Sequence, residues 1–125
     1  MEAKSVVEAL WDRIQARDWA GVAELVAGDV VVEWPLSRER IVGAENFVAV
    51  NSEYPAGWSI RVLRIVAEGD EVASEVEVPH DDLGLFRAAS FWTVEDGRVV
   101  RGREYWTQVG SESRPEWREG ITELV

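Results

Sequence analysis

The chain has 125 residues, with 24 acidic against 13 basic side chains for a net charge of −11, and it is 46% hydrophobic and 30% charged. This is the composition of one globular domain and excludes a disordered chain. The absence of cysteine excludes a disulfide framework, a zinc–thiolate site and a cysteine nucleophile, and fits a reducing, cytoplasmic setting.

The acidic surplus opposes phosphate backbones, so no nucleic-acid partner is expected. No apolar run approaches the roughly 18 residues needed to span a bilayer, so no membrane partner is expected either. The opening MEAKSVVEAL lacks the basic-then-apolar pattern of a signal peptide. Seven tryptophans is a high count. Clustered indoles form a core, a dimer face or the wall of an apolar pocket.

Val6, Val7, Leu10, Trp11 and Ile14 fall at helical spacing and predict a helix over Ser5 to Arg17, with Ser5 and Glu8 as a capping box. Asp18 caps a second short helix, carrying Trp19, Val22, Ala23 and Val26 inward and stopped by Gly28-Asp29. Val30 to Trp34 is a β-branched strand ended by Pro35. Leu36 to Val42 reads as a loop, and Gly43 to Glu53 as a third helix around Phe47.

Four long strands follow a turn at Pro55-Ala56-Gly57: Trp58–Glu68, Glu71–Pro79, Leu85–Glu95 and Arg98 to about Thr107. Gly69-Asp70 and Asp96-Gly97 are hairpin turns, and His80 to Gly84 is a connection. The tail from Gly110 is polar, with Trp117, Ile121 and Leu124 as anchors. Helices followed by a strand meander predict an α+β fold, a cone-shaped barrel of a curved antiparallel sheet packed against three N-terminal helices. A cone has an interior.

Val100, Gly102, Glu104 and Trp106 share one face of the last strand. One acid on an apolar face is either a buried functional group or half of an ion pair, for which Arg87 is the partner at hand. Burial would raise its pKa and suit it to general acid/base work. Glu75 and Glu77 lie on one strand face, with Val72, Val76 and Val78 on the other; plain alternation puts the valines in and the glutamates out.

His80 is the only histidine. In His80-Asp81-Asp82 it either meets a ligand or sits in a solvated turn. Trp34, Trp58, Trp92 and Trp106 are candidates for lining the cone. No serine elbow, phosphate loop or dinucleotide fingerprint is present.

Val32-Glu33-Trp34-Pro35, Gly43 opening a helix through Phe47, Glu95-Asp96-Gly97-Arg98-Val99-Val100 and Arg103-Glu104-Tyr105-Trp106 occur in an order that resembles the nuclear transport factor 2-like superfamily, and within it the SnoaL-like group. The resemblance covers about residues 5–107 of a single domain 1–125, leaving a tail at 110–125. It implies a homodimer formed through the sheet face. The fold hosts isomerases, hydrolases, cyclases and non-enzymes, so the site must decide.

Ketosteroid isomerases of this fold place an aspartate base before a proline at the end of the first strand. The matching position here is Trp34, and the two oxyanion-hole positions fall on Leu10 and Ser90. That constellation is absent. Limonene epoxide hydrolases resemble the chain at Glu77 and Glu104. Their bridging arginine is replaced by Glu75, and their water-holding residues fall on Val31 and Glu33. Polyketide cyclases of the SnoaL kind carry an acid in a place similar to Glu104, and a helper near Ser90.

The resemblance turns Glu77 toward the cone, where Glu33, Glu77 and Glu104 are expected to converge as the catalytic acids. Trp34, Trp106, Ser90, Trp92 and His80 are expected to meet the ligand. No metal and no cofactor are expected. The expected function is binding, and conversion by acid/base chemistry, of a small apolar molecule. The alternative is a non-catalytic ligand-binding or dimerisation module.

Overall fold

In the computed structural model, which describes residues 1–125, helix α1 spans Ala3–Gln15 and helix α2 Trp19–Leu25. Val6, Val7, Leu10, Trp11 and Ile14 are each at most 2% exposed, and such burial is worth about 1.5–3 kcal/mol per side chain. That burial goes with an α1 that starts two residues before the expected Ser5. Glu2 becomes the N-cap, with no side-chain cap bond, so Ser5 and Glu8 lie inside the helix and form no capping box. Asp18 does cap α2, its side chain accepting from the Gly21 N–H at 3.0 Å.

No turn separates α2 from strand β1, Val26–Trp34. Gly28-Asp29 is therefore strand, with an irregularity of register between Val26 and Val31, rather than a helix stop. β2, Glu39–Val42, occupies part of the expected loop and pairs antiparallel with β1. α3, Ala44–Ser52, starts after Gly43 at φ 92°, a conformation that favours glycine. This conformation lets the Gly43 N–H reach the Val30 carbonyl at 2.7 Å.

β3 is Arg61–Glu68, β4 Glu71–His80, β5 Gly84–Glu95 and β6 Arg98–Gln108. The expected early start of β3 shrinks to a single bridge between Trp58 and His80. The tail holds one short 3₁₀ turn, Glu116–Arg118. Its supposed anchors, Trp117, Ile121 and Leu124, are 73–78% exposed and anchor nothing. No helix is long and apolar enough to cross a membrane.

The α+β fold is as expected, with one curved sheet of order β2-β1-β6-β5-β4-β3. Two details differ. β1 runs parallel to β6, which makes the sheet mixed. β2 and β3 remain as free edges, so the cone is not closed into a barrel.

The helices cover one face, where Val72, Val76, Val78, Ala88, Trp92, Val94 and Val99 are buried. A register shift at the β5–β6 hairpin pairs Val94 with Val99 and Thr93 with Arg101. The extra residue, Val100, breaks the alternation, so Val99 rather than Val100 joins Gly102 and Glu104 among the buried positions.

Trp92 stands edge-on to Trp11 and Phe47, at 6.1 and 6.4 Å between ring centroids. It lies directly over Gly102, where an added Cβ would come within 2.6 Å of the Trp92 ring. Gly102→Ala should push the ring off its seat and cost about 1–3 kcal/mol. A drop of several degrees in melting temperature, with the fold retained by circular dichroism, is the expected result.

Candidate functional site

Side chains on neighbouring strands stand opposite one another, and this places Ser74, Ser90 and Glu104 in one row across β4, β5 and β6 on the helix-covered face. Glu104 is 4% exposed and Ser90 1%. The Ser90 hydroxyl donates to Glu104 Oε2 at 2.7 Å. The Trp34 indole donates to Oε1 at 3.1 Å from the end of β1. Ser74 accepts from Trp92 Nε1 at 2.9 Å and from Trp11 Nε1 at 3.1 Å.

Glu104 thus has donors but no cation. Arg87, its supposed partner, is turned to the opposite face. Burial raises the Glu104 pKa above the ordinary glutamate value; the hydrogen bonds from Ser90 and Trp34, and the nearby Trp106 indole, lower it by less. The net effect favours the acid form. Trp106 Nε1 is close enough to favour the carboxylate, yet it completes a hydrogen bond to no protein atom.

A cavity of about 740 Å³ opens beside Glu104, within the size range of small-molecule sites. Trp34, Trp58, Trp106, Tyr54, Phe86 and Val78 form much of its wall. Glu39 and Glu53 add carboxylates to the lining, and no Lys, Arg or His lines it. Burial pushes the Tyr54 hydroxyl above its usual pKa, so it stays a donor at neutral pH.

The expected convergence of three acids does not occur. Glu77 lies on the outer face, opposite Arg61 on β3 and Arg87 on β5. It takes two bonds from Arg87, at 3.1 and 3.0 Å, and one from Arg61. The Arg87 bonds chiefly, then Arg61, hold its carboxyl below the usual value. Glu33 is exposed on β1, because Trp34 takes the inward position next to it. Plain alternation was right here, and the inward turn implied for Glu77 is corrected.

Trp34 and Trp106 line the cavity, but Ser90 and Trp92 do not. Ser90 holds Glu104, and Trp92 is core. His80 is buried beside the cavity and is not part of its lining. Its Nδ1 accepts from the Asp82 and Leu83 N–H groups at 3.0 and 3.2 Å, so Nε2 donates to the Pro55 carbonyl at 2.9 Å. Stacked on Tyr54, it ties the α3–β3 loop to the β4–β5 turn.

Tyr54, Glu39, Glu53 and Phe86 were missed as lining residues. Glu39 and Glu53 flank short elements whose orientation carries no sequence period. Tyr54 had one local signal, its place just before the Pro55 turn.

The family model of the SnoaL-like domain matches residues 7–102. A solved structure from Kribbella flavida DSM 17836, provisionally named a ketosteroid isomerase, is 31% identical over 98% of this chain and 89% of its own, with a TM-score of 0.91. An NTF-2 like protein of unknown function from Burkholderia xenovorans LB400 is 25% identical over 98% and 94%, with a TM-score of 0.77. IdmH from Streptomyces antibioticus, provisionally named a polyketide cyclase, shares the fold at 19% identity over 85% and 92%, with a TM-score of 0.75. No curated protein matches the chain. The chain belongs to the SnoaL-like domain family of the nuclear transport factor 2-like superfamily.

A raised folded-state pKa has a definite sign in stability. The contribution of protonated Glu104 is complete below the ordinary glutamate value of 4.5. It is lost as the pH climbs through that value toward the raised folded-state pKa. Glu104→Gln keeps the shape and can still accept from Trp34 and donate to Ser90. The melting temperature of Glu104→Gln should therefore gain on that of the parent as pH rises from 4.5. Parallel melting curves across that range would contradict the buried, uncompensated acid.

Proposed function

We propose that this domain binds a small hydrophobic molecule in the cavity beside Glu104, and that Glu104 exchanges a proton with it without a cofactor. One observation carries the reading: a carboxyl 4% exposed, held by two donors, with no cation to neutralise it, at the wall of a largely apolar cavity. Burial raises the pKa of such an acid above the ordinary glutamate value, toward the range where general acid/base groups work best.

The hydrogen bonds from Ser90 and Trp34 fix the carboxyl plane, and each oxygen keeps a lone-pair direction free of those bonds. Relatives named as a ketosteroid isomerase and a polyketide cyclase fit proton transfer next to a carbonyl. In this chain the position of the isomerase base is Trp34, so the proton carrier sits on β6 instead. The second reading, a binding domain without turnover, is favoured by the fact that both Glu104 oxygens already accept from protein groups.

Deuterium wash-in beside the carbonyl of hydrophobic cyclic ketones, followed by NMR, separates the two readings. Glu104→Gln should slow exchange about 10²–10⁴-fold while the ketone still binds. Ketones that bind with no exchange above the buffer rate would leave the binding reading alone standing.

We also propose that a second copy of the chain covers the outer sheet face. Phe91 and Val66 are 53% and 46% exposed there, and Phe91 packs edge-on against Tyr105. Clustered exposed apolar side chains mark association surfaces. Light scattering should report a dimer, and Phe91→Glu a folded monomer; a monomeric parent chain would end this proposal.

A further inference from the structure

His80, at the end of β4, is buried, and the proton transfer proposed above gives it no part. Its neighbours are walls of the cavity. Its Nε2–H donates to the Pro55 carbonyl, and its Nδ1 accepts from the Asp82 and Leu83 N–H groups. Its ring stacks on Tyr54, and its backbone bridges to Trp58. Tyr54, Pro55, Trp58 and Leu83 all line the cavity. His80 thus stands behind the lining and fixes two parts of the rim, the loop after α3 and the β4–β5 turn.

This arrangement suits one protonation state. A neutral imidazole has one donor and one acceptor nitrogen, whereas an imidazolium has two donors. Proton uptake at Nδ1 would set an N–H against the N–H groups of Asp82 and Leu83, and both bonds of the turn would be lost. The bond to Pro55 would remain.

The titratable and charged groups around the ring are Tyr54, Asp81, Asp82 and Arg17. Asp81 Oδ2 and His80 Cε1 border the same small space, 3.4 and 3.3 Å from where a Cβ on Gly57 would stand. Arg17 is engaged elsewhere, lying over the Trp58 ring and donating to the Trp58 carbonyl. A charged ring would draw the carboxylates of the turn in place of its amides, which gives the turn a second arrangement.

We infer that His80 is a positioning residue of this cavity: its neutral ring pins Leu83 at the rim, and proton uptake releases the β4–β5 turn and opens the mouth. This rests on the ligand-binding reading above. The closed form needs an unprotonated Nδ1, so opening takes up a proton and becomes easier as pH falls.

His80 is the only histidine, so its ring gives the one imidazole signal of nitrogen-labelled, tag-free protein. The ring should show the Nε2–H form near neutral pH. Between about pH 8 and about pH 5 it should titrate, and the Asp82 and Leu83 amide signals should move and exchange faster with the same midpoint. The release rate of N-phenylnaphthylamine, a neutral aromatic probe, should rise about tenfold through that midpoint, the yield of one lost hydrogen bond.

His80→Asn can still accept from the Asp82 N–H as an Asx turn, but it has no titrating ring and is too short to hold Pro55. Its release rate should be fast and flat with pH. Glu104 is present in both proteins, so this comparison separates the two groups. A ring in the Nδ1–H form, a ring that titrates with the amides unmoved, or a release rate that follows pH equally in both proteins overturns the inference. If the variant does not fold, the ring and amide titrations of the parent decide. A probe that fails to bind counts against the ligand-binding reading, and the same titrations still uphold or overturn the latch.

Discussion

The arrangement of the inner sheet face turns on a single constraint: a carboxyl group buried without a counter-charge must be surrounded by donors. Glu104 meets it through Ser90 on the adjacent strand and Trp34 on the other side. Each donor requires a particular register. Ser90 must stand opposite Glu104 across β5 and β6, and β1 must run alongside β6 so that its last residue reaches across. The parallel pairing of β1 with β6 is thus what brings an indole to Glu104. The far end of the same row follows the same logic, with Ser74 taking two indole N–H groups. Those bonds fix the edge-on packing of Trp11, Trp92 and Phe47.

The outer face solves the same problem by the opposite route. Glu77 is set between two arginines across three strands, so its charge is compensated and its carboxyl held below the usual value. Two glutamates of the same sheet, little exposed on opposite faces, are driven in opposite directions by what stands beside them. One is an ion-pair centre; the other has its pKa raised by burial without a counter-charge. Chemistry that needs a transferable proton belongs to the second.

Much of this was legible in the residues. Period-two alternation in Val72 to Val78 assigned the faces of β4 correctly, and the inward turn of Glu77 implied by family resemblance was wrong because Arg61 and Arg87 pair with it outside. Single-acid placement on an apolar strand face singled out Glu104. Alternation failed near Val100, because a bulge is a two-against-one mismatch that no single strand's pattern reveals. The capping signal of Ser5 failed at the start of α1, where the helix begins at Ala3 and Val6 and Val7 are buried. Lining residues such as Glu39 and Glu53 were illegible, since they reach the cavity from the ends of short elements. Trp92 was misjudged because an indole facing inward over a glycine and one facing a cavity give the same sequence pattern.

The partial fit to several catalytic sets of the superfamily has a geometric reading. The end of β1 is where ketosteroid isomerases of this fold hold their base, and here it holds Trp34. That indole donates its N–H to Glu104, a group on the neighbouring strand. A donor stands at the one position, and an acid stands at the position it points to. Residue-by-residue matching scores this as a lost base. Under the proposed function the two neighbouring positions divide the work differently, Glu104 carrying the proton and Trp34 orienting it. Such a division keeps the carboxyl on the strand where Ser90 can reach it. The tryptophans are therefore not interchangeable filler: Trp92 packs the core, Trp34 orients the acid, and the Trp106 N–H lies close enough to the carboxyl to favour its charged form.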